Sequence, residues 1–66
     1  MQIKINGDTE EVSDGCSIYQ LIQQLDLTGK RIAIELNCEI VPRSQFPETI
    51  LNADDRIEIV QAIGGG

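Results

Sequence analysis

A chain of 66 residues with eleven Asp and Glu against five Lys and Arg, a formal charge of −6, two Cys and no His has room for one small domain. A chain of this size buries only about 60% of its extended surface on folding, so nearly every aliphatic residue is needed for the core and little remains to wall an enclosed pocket. This argues against a free-standing enzyme, and the lack of histidine removes the commonest general base and the commonest zinc ligand. Lys4, Lys30, Arg31, Arg43 and Arg56 form no dense cluster along the sequence, whereas nucleic acids and anionic membranes are bound through clustered cations. Neither partner is expected. No apolar run approaches the roughly 18 residues of a membrane span, and the first residues lack the regions of a signal peptide, so the chain reads as cytoplasmic. Cys16 and Cys38 are too few for a disulfide framework and are read as reduced thiols.

Met1 to Asn6 alternates apolar and polar residues, the pattern of a strand with one buried face. Asn6-Gly7 tolerates positive φ, so a β-hairpin follows, with its second arm from about Thr9 to Val12. Ser13-Asp14-Gly15 breaks it. Ile18, Leu21, Ile22 and Leu25 fall at i, i+3, i+4 and i+7, one helical stripe, and Ser17 with Gln20 fits a capping box. This helix is expected to end near Asp26 to Gly29, with Gly as the stop. Arg31 to Asn37 alternates again, and Asn37-Cys38-Glu39 turns the chain into Ile40-Val41 before Pro42 removes a ladder donor. Ser44 to Thr49 is irregular, one helical turn anchored by Phe46; Asn52 to Asp55 is polar; Arg56 to Val60 is the final strand.

This ββαββ order, with four or five short strands in a mixed sheet, is an α+β fold, because a lone helix must cover the apolar face of a sheet. With the last strand beside the first and parallel to it, Ile3/Ile5 and Ile57/Ile59 lie at the sheet centre under the helix, the ubiquitin-like β-grasp arrangement. The expected core is Ile3, Ile5, Val12, Ile18, Leu21, Ile22, Leu25, Ile32, Ile34, Leu36, Ile57 and Ile59, with Leu51 and Phe46 at its margin. Residues 1–63 are expected to form the single domain and residues 64–66 a flexible glycine tail.

Gly64, Gly65 and Gly66 contribute nothing to a core and are entropically costly to order. Fully extended they reach about 10 Å past the last strand, and without Cβ atoms they thread a slot too narrow for other residues. Such a tail delivers the carboxylate of Gly66 into a partner's active site. A carboxylate is a poor electrophile, so the useful chemistry is adenylation with ATP by that partner, giving an acyl-adenylate open to a sulfur nucleophile. The protein itself binds no cofactor in this reading, and its role is that of a carrier rather than a catalyst.

With this tail on a β-grasp order, the segments Asn37-Cys38-Glu39-Ile40-Val41-Pro42-Arg43 and Arg56-Ile57-Glu58-Ile59-Val60-Gln61-Ala62-Ile63-Gly64-Gly65-Gly66 resemble the ThiS family, the ubiquitin-like sulfur carriers of thiamine biosynthesis. The resemblance covers the whole chain. It implies an adenylyltransferase (ThiF-like) that activates Gly66, a sulfur donor such as a cysteine desulfurase system, and a thiazole synthase (ThiG-like) that takes sulfur from the resulting thiocarboxylate. Two positions depart from the family pattern: Phe46 keeps an aromatic but stands where Trp is most often found, a mild change, and Asp54-Asp55 stands where Gly-Asp is usual. Alternatives within reach of the same fold and tail are the small subunit of molybdopterin synthase and a ubiquitin-like protein modifier; a plain interaction domain with an unmodified tail is a third.

Other residues have plainer readings. Cys16, just ahead of the helix, offers a thiolate for a persulfide, but a passive half-buried thiol is the simpler reading, and the same holds for Cys38 at its turn. Asp54 and Asp55 are read as solvated turn residues rather than a metal or acid-base pair, with no third ligand in view. Arg43 and Arg56 either steer docking or pair with surface acids, pairs worth at most about 1 kcal/mol. Val60 and Ala62 face away from Ile57 and Ile59, and with Ile63 at the base of the tail they form a small apolar patch suited to partner docking.

Overall fold

In the computed structural model, which describes residues 1–61, Asn6 and Gly7 take φ of 49° and 87° and close a two-residue hairpin between β1 (Gln2–Ile5) and β2 (Asp8–Glu11). Positive φ at both central residues matches the right-handed twist of the flanking strands. The second arm therefore starts one residue earlier than expected, with Asp8 opposite Ile5. Val12 is not part of it; its N–H donates to the Met1 carbonyl at 2.9 Å and its side chain is buried.

The capping box forms as expected at the start of α1 (Ile18–Gln24): the Gln20 N–H donates to Ser17 Oγ at 3.1 Å, and the Ser17 N–H donates to Gln20 Oε1 at 2.9 Å. The stop is a correction. Asp26, not a glycine, takes the left-handed conformation, with φ of 61°. Its N–H donates to the Gln23 carbonyl (3.1 Å) and the Leu27 N–H donates to the Ile22 carbonyl (2.9 Å), a Schellman closure in which Asp serves because it tolerates this region better than most residues.

The second hairpin joins β3 (Ile32–Leu36) to β4 (Glu39–Val41). Its loop is two residues long, Asn37 and Cys38, with φ of 50° and 73°. Pro42 leads into a 3-10 turn (Arg43–Gln45), and β5 (Arg56–Gln61) ends the described chain. The strand order is β2-β1-β5-β3-β4. β5 runs parallel to β1, pairing Ile5 with Ile57, and antiparallel to β3, pairing Ile34 with Ile59. The last strand is thus the middle of the sheet, and the topology is the β-grasp anticipated from the sequence.

Ile3, Ile18, Leu21, Ile34, Leu51 and Ile57 are the most deeply buried side chains. Leu51 and Phe46, expected at the margin, are 1% and 4% exposed and belong to the core, joined by buried Cys16. Leu25, Ile32, Leu36 and Ile59, expected inside, are only partly buried. A helix of seven residues is about 10 Å long and cannot cover both ends of the strands beneath it. Phe46 and Leu51 close the gap. No helix among the described residues is long and apolar enough to cross a membrane.

Candidate functional site

The alternation of β5 sets the site. Ile57 and Ile59 turn toward the helix, so Arg56, Glu58 and Val60 lie on the opposite, open face, where all three are exposed. Val60, expected in the docking patch, is 63% exposed. Its direct partner on β3 is Ala33, also exposed. The adjoining row reads Ile40, Glu35 and Glu58 across β4, β3 and β5, and Ile40 is 76% exposed. Sequence reading placed Val60 here but missed Ala33 and Ile40. The signal was present: alternation about Ile34 turns Ala33 outward, and a two-residue loop then sets Ile40 opposite Glu35.

The other expected members of the patch and tail, Ala62, Ile63, Gly64, Gly65 and Gly66, lie outside the described residues. Gln61, the last described residue, pairs with Ile32, so β5 delivers the chain to the first residue of β3.

Charge on the open face is segregated. Glu35 and Glu58 are direct cross-strand partners, and Lys4 pairs with Arg56 between β1 and β5. Like charges directly opposite destabilise a sheet. Neither Arg56 nor Arg43 has a carboxylate partner among the described residues, where the ion pairs are those of the Met1 amino group with Glu11 (2.7 Å) and Asp14 (3.2 Å). Arg43 instead donates from Nη2 to the Lys30 carbonyl at 3.0 Å.

The thiols separate by environment. Cys16 is buried, more so than the half-buried state expected, and its Sγ donates to the Ser17 carbonyl at 3.3 Å. Burial pushes its pKa up from the ordinary value, the reverse of what a persulfide-forming thiolate needs. Cys38 is exposed, and both are free thiols. Asp54 and Asp55 serve the backbone. Asp54 takes φ of 68°, while Asp55 Oδ2 accepts from the Asn52 N–H at 2.7 Å and Oδ1 accepts from Asn37 Nδ2 at 3.1 Å. Among the described residues no three His, Cys, Asp or Glu side chains gather as a metal would require.

Compared with known proteins, residues 2–66 match the model of the ThiS family. Over 66 residues the chain is 35% identical to the sulfur carrier protein ThiS of Escherichia coli, covering all of both chains. It is 36% identical over 66 residues to a thiazole synthase of Paramagnetospirillum magneticum, matching in full but spanning only 20% of that protein. The crystal structure of a thiamine biosynthesis protein (ThiS) from Geobacter metallireducens superposes with a TM-score of 0.85 at 26% identity, covering 100% of both chains. The chain belongs to the ThiS family of sulfur carriers.

Proposed function

We propose that this carrier works through the carboxylate of Gly66 as a co-substrate of thiamine biosynthesis. An adenylyltransferase joins the carboxylate to the α-phosphorus of ATP, releasing pyrophosphate. A persulfide from a donor such as a cysteine desulfurase system then attacks the acyl carbon, and the C–O bond to AMP breaks. A second thiol of the donor system cleaves the S–S bond of the resulting acyl disulfide, leaving a thiocarboxylate on Gly66 and a disulfide on the donor. Thiazole synthase takes its sulfur from that group. The chain supplies no acid or base to these steps; it presents the tail through Gly64 and Gly65 and docks.

The observation that carries this reading is the family match, which runs through the glycines to residue 66. The thiazole synthase relative supports the choice of partner, because one polypeptide there contains both a stretch like this chain and the synthase, and linkage raises the effective concentration of two interacting modules. Docking is assigned to the open face at Val60, with Ala33 and Ile40 extending the apolar area and Glu35 and Glu58 at its rim; Ala62 and Ile63, next in the sequence, are assigned to docking as well.

Incubation with the adenylyltransferase, ATP, magnesium and the sulfur donor is expected to add about 16 Da, localised to the C-terminal peptide, as one oxygen is replaced by sulfur. Accurate mass separates this from oxidation. A chain lacking Gly66 is expected to stay folded and unmodified; thiocarboxylate on that variant would overturn the reading.

A further inference from the structure

We infer that a second docking surface lies on the helix side of the sheet, in the cleft between the end of α1 and the 3-10 turn, and that it receives a bulky apolar side chain flanked by carboxylates on a partner protein. The cleft holds about 210 Å³ between Tyr19, Leu27, Phe46 and Pro47, with Lys30 and Arg43 also lining it. The chain has one Tyr and one Phe and no Trp, so both of its aromatic rings meet here. Phe46 is buried, and Tyr19 stands 42% exposed. The volume is below the roughly 300 Å³ at which small-molecule pockets begin, a size suited to one large side chain. Tyr and Arg are also the residue types that dominate binding energy at protein interfaces.

The charge around the cleft is what specifies the occupant. The chain carries eleven acids and five bases, yet two of the bases and none of the acids line this cleft. Lys30 and Arg43, 13 residues apart in the sequence, are brought together at this end of the fold. Among the described residues neither Lys30 nor Arg43 is in an ion pair. The Arg43 guanidinium is held by its bond to the Lys30 carbonyl, which limits the rotamer freedom lost on binding. An acidic partner segment neutralises this rim, whereas a basic one is repelled.

The cleft and the open face are on opposite sides of the sheet. Ile32, a lining residue, has the parity of Ile34, while Ala33 and Val60 have the other. A partner in the cleft therefore does not compete with one docked at Val60, and the inference stands apart from the thiocarboxylate chemistry.

The probe is the capped pentapeptide Glu-Asp-Phe-Asp-Glu, titrated into the isotope-labelled full chain. Saturable amide shifts are expected at Leu27, Gly29, Lys30 and Phe46, with Ile40 and Val60 unmoved. Replacing the peptide carboxylates by amides, or Lys30→Glu in the protein, is expected to weaken binding about tenfold. Arg43→Glu would also break the bond to the Lys30 carbonyl, so Tyr19→Ala, at an exposed ring, is the second variant, with a similar loss expected. No saturable shift, shifts centred on the open face, or equal affinity for the amide peptide would overturn the inference. So would binding that appears only after residues 62–66 are removed, which would assign the cleft to the chain's own end. Intact-mass loading of Gly66 needs no peptide, so failure of either reading leaves the other's measurement intact.

Discussion

Asn6 and Ile59 are joined by two hydrogen bonds across 53 residues of sequence: the Ile59 N–H donates to Asn6 Oδ1 at 2.8 Å, and Asn6 Nδ2 donates to the Ile59 carbonyl at 3.2 Å. The side-chain amide continues the parallel ladder after β1 has turned away into its hairpin. Asn37 does the same work from the other hairpin, where its Oδ1 accepts from the Arg56 N–H at 2.9 Å. β5 is thus clasped at its first residue, Arg56, and at Ile59 by asparagines in left-handed turns. Asn6→Gly keeps the backbone conformation and deletes the amide, with an expected loss of about 1–2 kcal/mol in urea unfolding. Hydrogen exchange at Ile59 is expected to quicken in the same variant. Asn6→Ala adds left-handed strain of about 1 kcal/mol and is expected to be worse by that amount.

The facing pair Glu35 and Glu58 costs stability and contributes nothing to the core. Glu58→Gln is expected to raise the unfolding free energy by about 0.2–1 kcal/mol. If the open face meets a cationic partner, the same variant is expected to raise KM for loading at low salt while leaving kcat unchanged. An unchanged KM would remove the acidic rim from the docking surface.

At the second hairpin, Cys38 occupies a left-handed position with φ of 73°, where a side chain costs about 1–2 kcal/mol. Cys38→Gly is expected to stabilise the chain by about 0.5–1 kcal/mol, after the greater unfolded-state freedom of glycine is subtracted. Alkylation of the native chain near neutral pH is expected to label Cys38 fast and Cys16 only under denaturant, because Cys16 is buried and Cys38 exposed. Equal labelling rates would contradict that burial.

Stability is expected to fall as pH rises above about 8. The Met1 amino group has its pKa raised above the ordinary 8.0, first by its hydrogen bond to the Glu11 carboxylate and then by that to Asp14. The folded chain holds this proton more tightly than the unfolded one, so its contribution is complete below pH 8 and disappears as pH passes the raised value. Cys16, also raised above its ordinary 9.0, adds slope of the same sign at higher pH. Urea unfolding across pH 7 to 10 tests this, with Glu11→Gln expected to flatten the first part of the decline.

Much of the fold was legible because periodic signals lie within single segments. Asn6-Gly7, the Ser17 and Gln20 capping box and the alternation of β1, β3 and β5 each needed no knowledge of a distant partner. Leu51 was misjudged because its burial depends on a distant segment: its N–H donates to the Cys16 carbonyl at 2.8 Å, and Ile50 bridges to Ser17, tucking an aperiodic stretch under the helix start. The helix stop was misjudged because Asp26 outcompeted Gly29, three residues later, for the left-handed position. Val60 was legible from parity alone, whereas the cleft was not, because Tyr19, Lys30 and Arg43 come from three separate stretches of chain.

The parallel pairing of β5 with β1 also constrains biosynthesis. A nascent chain can form either hairpin and the helix early, but the centre of its sheet stays empty until Arg56 to Gln61 have left the ribosome. The segment that leads to the glycines is then the keystone of folding, closing contacts with β1 across more than 50 residues, and such long-range closure comes late. A molecule cut short before β5 lacks both the sheet centre and the tail, so the glycines are present only on chains that also carry the strand needed to finish the sheet.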